Sequence, residues 1–135
     1  MAAACWALIR WTRRNVRVVR VTGASMLPAY RPGDLLVVRR VPLRSIRAGD
    51  VVVLDASEHH KPQASAARWI IKRVAGVPGD VVSPGILPDG QDAIVPPGQL
   101  ILLGDNPAQS ADSRQQGYFS ASRTIGRVIS RQAVK

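Results

Sequence analysis

The sequence predicts an all-β domain of the barrel or sandwich kind. Three observations carry this expectation. The dipeptide Gly-Asp occurs at Gly33-Asp34, Gly49-Asp50, Gly79-Asp80 and Gly104-Asp105, and the first three stand directly before a Val/Leu run, the order of a turn followed by a strand. The apolar runs are short and rich in β-branched residues. Prolines at 32, 42, 62, 78, 84, 88, 96, 97 and 107 leave little room between them for a helix of about ten residues. Many short strands joined by Gly/Pro turns close into a barrel or stack as a sandwich.

In chain order the predicted strands are 16–22, 35–41, 51–54, 69–75, 80–82, 99–103 and 124–130. Residues 58–67, polar and rich in small side chains, and 83–93, rich in Pro, Gly and Asp, read as excursions from the sheet. The Gly-Asp spacings of 16, 30 and 25 residues are irregular and argue against a repeat protein. At 135 residues the chain has the length of one domain. The expected division is a basic, partly apolar segment at 1–21 and a folded domain at 22–135.

Residues 1–9 carry no charged side chain and are mostly apolar, but nine residues of helix rise only about 14 Å against a hydrocarbon core of about 30 Å. The arginines at 10, 13, 14, 17 and 20 follow the apolar run, the reverse of the order in a secretory signal peptide. An interfacial anchor with arginines at the headgroups fits, as does the tail of a spanning helix that begins upstream.

The net charge of +10 comes from sixteen arginines and three lysines against nine acids, none of them before Asp34. Such a balance favours an anionic partner, phospholipid or nucleic acid. Only 24 residues precede Ser25, which leaves no room for a helix-turn-helix and disfavours nucleic acid. The single Cys5 excludes an internal disulfide and any CxxC motif. No metal-ligand spacing stands out, and no cofactor is expected.

Ser25, in the run GASMLP from Gly23, follows a predicted strand at a turn that presents its hydroxyl. The only histidines, His59 and His60, are adjacent in a polar stretch with Glu58 and Lys61, a weak basis for a Ser-His-Asp triad. Lysine is the other route to a base. In a chain that uses arginine for charge, lysine occurs only at 61, 72 and 135, and Lys72 lies inside the apolar run from Trp69 to Val74. Apolar burial lowers a lysine from its ordinary pKa of about 10.4 toward neutrality, which arginine does not allow. On the residues alone, an ordinary turn serine and a solvent-facing strand lysine remain open beside this reading.

Three runs in order, GASMLP, IIKRVAGVPGDVV from Ile70 and GDNPAQSADSR from Gly104, with AGDVVVL at Ala48 between the first two, resemble the conserved boxes of the signal peptidase I family. The resemblance covers about residues 21 to 130. It implies a signal-peptidase-like β-barrel domain in which Ser25 is the nucleophile, Lys72 the general base and Ser110 the hydroxyl that orients the lysine amine. It further implies that Asp105, Asp112 and Arg114 support the loop carrying Ser110 through ion pairs, that Arg73 partners a carboxylate, and that Met26, Leu27, Tyr30 and Ile71 wall the substrate pockets. The implied substrate is a precursor protein or leader peptide cut after small residues such as Ala, at a membrane and with the domain on its extracytoplasmic side. The chain departs from the family at Gly23, where a serine often adds an oxyanion donor, leaving Thr22 as the nearby hydroxyl. It departs again at Pro107, where arginine is common.

Two other functions stay open at this level: a cytoplasmic peptidase trimming one dedicated precursor, and a self-cleaving regulator of the related repressor type. The first draws on the basic N-terminal segment, since positive charge disfavours the outer face of a membrane.

Overall fold

The turn expected at the Gly-Asp pairs forms at three of the four, and a strand follows it at two. In the computed structural model, which describes residues 1–56, 69–88 and 94–133, Gly33, Gly49 and Gly79 have φ of 95°, 95° and 92°, the left-handed region open to glycine. The aspartate after each accepts a hydrogen bond from the amide three residues upstream, Arg31 to Asp34 and Arg47 to Asp50 at 2.9 Å and Val77 to Asp80 at 3.0 Å. Gly104-Asp105 departs from this pattern, and it lies at the candidate site.

The strands are β1 (Val16–Arg20), β2 (Leu35–Arg39), β3 (Val51–Asp55), β4 (Trp69–Gly76), β5 (Gln99–Leu103), β6 (Phe119–Ser120) and β7 (Thr124–Gln132). They form one curled antiparallel sheet, a half-barrel in the order β1-β2-β7-β3-β4-β5-β6. The all-β expectation therefore holds. The predicted strand at 80–82 is a single bridge, Val81 to Ile94, and β6 was not anticipated because two residues make no run. The pair His59-His60 and the polar stretch around it lie outside the described residues.

The pleat of the central strands divides the core. Val51, Val53 and Ile71 face one cluster with Val19, Val21, Met26, Leu36 and Val38. Val52, Leu54 and Val74 face another with Ile46, Leu100, Leu102 and Phe119. Each fully buried Val, Leu or Phe contributes about 1.5–3 kcal/mol of transfer free energy, so β3, with four consecutive buried residues, is the spine of the sheet.

The N-terminal helix α1 (Ala2–Asn15) continues past the apolar run through Arg10, Arg13 and Arg14. Arg13 and Arg14 occupy its last turn, where cations complement the partial negative charge of the helix end. None of its residues is buried, and Trp6, Leu8, Ile9 and Trp11 are all exposed. No described helix is long and apolar enough to cross a membrane. Within the basic segment expected at 1–21, the predicted strand 16–22 forms as β1, paired with β2 from Val16–Arg39 to Arg20–Leu35.

Candidate active site

Ser25 sits in the turn after β1, and the loop after β5 clamps that turn. The Asn106 amide donates to the Ser25 carbonyl at 2.8 Å, and the Asn106 side-chain nitrogen donates to the Ala24 carbonyl at 3.0 Å. Gly104 makes this approach possible: a Cβ there would overlap the Ser110 side chain and stand 2.8 Å from the Ser25 carbonyl oxygen. The glycine of the fourth Gly-Asp pair is needed for close packing, whereas the other three form turns.

Lys72 lies in β4 opposite Val52 of β3, and its side chain is 4 % exposed. Its Nζ donates to Ser110 Oγ at 2.9 Å, and Ser110 Oγ in turn donates to Asp112 Oδ2 at 2.8 Å. Because the hydroxyl proton is committed to the carboxylate, Ser110 presents a lone pair to the lysine and fixes where the amine points. Burial pulls the Lys72 pKa below its ordinary value; the charge of Asp112 opposes this, and that of Arg114 adds to it.

Asp112 is fully buried. Burial alone would raise its pKa, but hydrogen bonds from Arg114, the Gly104 amide and Ser110 outweigh that and hold its carboxyl well below the usual carboxylate range. The Arg114 guanidinium grips both oxygens, Nε to Oδ1 at 2.9 Å and Nη2 to Oδ2 at 2.5 Å. Asp112 also caps the short helix α2 (Ser113–Gln116) in a capping box with Gln115. Asp105 faces elsewhere, in a two-bond pair with Arg73 at 2.9 and 2.8 Å that ties the loop to β4.

The Arg114 charge has a measurable consequence. Arg114→Met removes a cation that disfavours the charged amine, so the Lys72 pKa rises. Any activity that needs the neutral amine then has its acid limb moved to higher pH, which a pH–rate profile reads; an unmoved limb would mean that Arg114 is not coupled to Lys72.

Ser25 and Lys72 line one cleft of about 220 Å³ together with Val21, Thr22, Met26 and Trp69. Ile70, Ile71, Ala111 and Gln116 complete much of its wall. Of the four predicted pocket residues, Met26 and Ile71 are in the lining, while Leu27 and Tyr30 are not; Tyr30 packs against the core cluster of β1 and β2. Trp69, Ala111 and Gln116 were not singled out from sequence, and neither was Asn106. The cleft holds a hydroxyl, a buried amine with a depressed pKa, and apolar walls, which suits nucleophilic attack on a carbonyl with proton transfer to the amine. Among the described residues, no cluster of His, Cys, Asp or Glu is placed to hold a metal ion.

A family model described as "Signal peptidase, peptidase S26" matches residues 1–86 and 85–132. The chain is 35 % identical over 114 residues to the mitochondrial ATP-independent inner membrane protease subunit 1b of Arabidopsis thaliana, covering 79 % of this chain and 64 % of that protein. It is 36 % identical over 119 residues to the mitochondrial inner membrane protease subunit 1 of Xenopus tropicalis, covering 84 % and 67 %. With signal peptidase I of Bacillus caldolyticus it shares 27 % identity over 143 residues, 80 % of this chain and 74 % of that protein. The chain thus spans just under two thirds of the plant subunit's length.

Proposed function

The chain belongs to the signal peptidase, peptidase S26 family, and from that membership we propose that it is a serine endopeptidase removing signal or leader peptides through a Ser25–Lys72 dyad. The observation that carries the dyad is the chain of hydrogen bonds from buried Lys72 through Ser110 to Asp112, in a cleft shared with Ser25.

In the proposed reaction Ser25 Oγ attacks the scissile carbonyl carbon as neutral Lys72 Nζ takes its proton. The tetrahedral oxyanion is held by the Ser25 amide N–H. Collapse breaks the C–N bond, and Lys72 returns its proton to the leaving amine. Water then attacks the ester, giving its proton to Lys72, and release of the acid restores the Ser25 hydroxyl. Ser110 Oγ touches Lys72 Nζ and orients it; Asp112, Arg114 and Asn106 touch no reacting atom in this scheme and position the groups that do. The cleft wall of Val21, Met26, Ile70 and Ile71 favours a short apolar side chain beside the cut, supporting a preference for Ala.

The relatives named as inner membrane proteases support membrane association; in the proposed arrangement α1 makes the contact and the catalytic domain lies on the extracytoplasmic side. Incubation of the purified chain with a precursor bearing an Ala-x-Ala site tests the activity, with the cut expected after the second Ala. No cleavage of that precursor, with efficient cleavage of one dedicated cytoplasmic substrate, would favour the trimming peptidase instead.

The second oxyanion donor is testable by gain of function. A Cβ on Gly23 has nothing within 4 Å, and its φ lies outside the left-handed region, so a serine fits there without strain. Gly23→Ser is expected to raise kcat about tenfold by adding a hydroxyl toward the oxyanion, with KM little changed. A lower kcat would show that the chain meets the oxyanion by another route, with Thr22 the nearest hydroxyl in the cleft lining.

A further inference from the structure

Where α1 meets the sheet, Arg14, Arg17 and Arg40 converge on a pocket of about 180 Å³ with Asn15, Thr124 and Ile125. The three arginines come from the end of α1, from β1 and from the residue after β2. Among the described residues none of them forms an ion pair with a carboxylate, although Arg73, Arg114, Arg127 and Arg131 all do. The helix terminus accounts for Arg14 through its dipole, but not for Arg17 or Arg40. Thr124 also lines the pocket, and its Oγ1 is buried with no hydrogen-bond partner among the described residues. Three like charges gathered on one pocket with no carboxylate among them describe the binding partners of an anion with several acceptor oxygens.

A second concavity of about 730 Å³ opens from the same residues. It shares Arg14, Asn15 and Arg40 with the first and is otherwise lined by Ala3, Trp6, Ala7, Arg10 and Trp11. These α1 residues fall in two adjoining stripes, 3-7-11 and 6-10-14, and so form one face of the helix. Arg39 stacks over the Trp11 ring at 5.4 Å and holds the inner end of this wall. A cationic pocket thus adjoins an aromatic, small-residue groove on a helix whose exposed surface includes Trp6, Leu8, Ile9 and Trp11.

We propose that this composite site binds one anionic phospholipid, its phosphate among Arg14, Arg17 and Arg40 and an acyl chain along Ala3, Ala7, Trp6 and Trp11. The lining shared by the two concavities selects a lipid over free phosphate, which would leave the aromatic groove empty. The charge selects an anionic headgroup over a zwitterionic one, whose choline would face arginines. This deepens the membrane contact proposed for α1: a surface attraction needs only net charge, whereas a built site needs these three arginines.

The test uses the full chain and dihexanoyl phosphatidylglycerol below its micelle concentration, with binding read by titration calorimetry and native mass spectrometry. One lipid per chain is expected. The triple variant Arg14→Gln, Arg17→Gln, Arg40→Gln is expected to weaken binding at least tenfold. The control triple Arg13→Gln, Arg20→Gln, Arg44→Gln, which removes the same charge from exposed positions elsewhere, is expected to stay within twofold. Dihexanoyl phosphatidylcholine and inorganic phosphate are each expected to bind at least tenfold more weakly than the anionic lipid. Equal loss in both triples would overturn the site while leaving a general charge-driven membrane contact standing. Phosphate binding as tight as lipid would overturn the lipid assignment, and so would tighter binding of a short DNA duplex. Sedimentation with anionic vesicles reports the membrane contact separately, so its failure is distinguishable from that of the site.

Discussion

Ser25→Ala and Lys72→Met are each expected to lower precursor cleavage by about 10⁴-fold or more, because in the proposed dyad the nucleophile and its base act as one unit. Lys72→Arg is expected to be equally inactive at every accessible pH, since guanidinium does not give up its proton. Loss of folding is separated from loss of chemistry by a stability measurement with a definite sign. A buried lysine whose folded pKa is depressed binds fewer protons folded than unfolded. Its burial therefore costs stability below the folded pKa, and the cost disappears as pH approaches the ordinary lysine value of about 10.4. Lys72→Met is thus expected to be more stable than wild type at neutral pH in urea unfolding, with the advantage shrinking as pH rises. An inactive variant with a more stable fold assigns the loss to chemistry. A Lys72→Met chain that retained activity would remove the lysine from the mechanism.

Asp112→Asn carries the largest expected loss of stability, about 3 kcal/mol or more. It removes one partner of a buried pair and leaves the Arg114 guanidinium, which bridges both carboxylate oxygens, without its charge. The pH dependence has a sign. Asp112 has its folded pKa held down, so its stabilisation is fully present above the unfolded value of about 4 and is lost as pH falls below that. The gap between wild type and Asp112→Asn is accordingly widest near neutrality and closes in acid. The same substitution removes the charge that raises the Lys72 pKa, so the acid limb of activity moves to lower pH, opposite to Arg114→Met. Shifts of the same sign in the two variants would contradict the electrostatic account of Lys72.

The sheet was legible where local chemistry determines it. Gly33, Gly49 and Gly79 read as turns because glycine with a following aspartate closes a three-residue loop locally, and 99–103 matches β5 in full because a Gly-containing turn and Gly104 bound an apolar run. The role of Gly104 was not legible, since the clash that requires glycine comes from Ser110 and Ser25, the latter 79 positions away in sequence. The same limit hid Asn106, whose two bonds reach Ala24 and Ser25 across the fold. The capping signal Asp112-x-x-Gln115 was readable in principle, because both bonds are local. Cleft lining was the least legible part. Leu27 and Tyr30 follow Ser25 closely yet turn away, while Trp69, Ala111 and Gln116 enter through sheet register and loop return. The family boxes compensated for this: their order carried Ser25, Lys72 and Ser110 to a single reading where spacing alone left them apart.

The dyad is tested most directly by mapping a covalent intermediate. Full chain mixed with excess peptide ester ending in Ala is quenched in acid within one turnover, digested, and analysed by mass spectrometry. An acyl adduct is expected on Ser25 in wild type, and none in Lys72→Met under the same conditions. An adduct on another residue, or undiminished acylation of Ser25 without Lys72, would contradict the dyad.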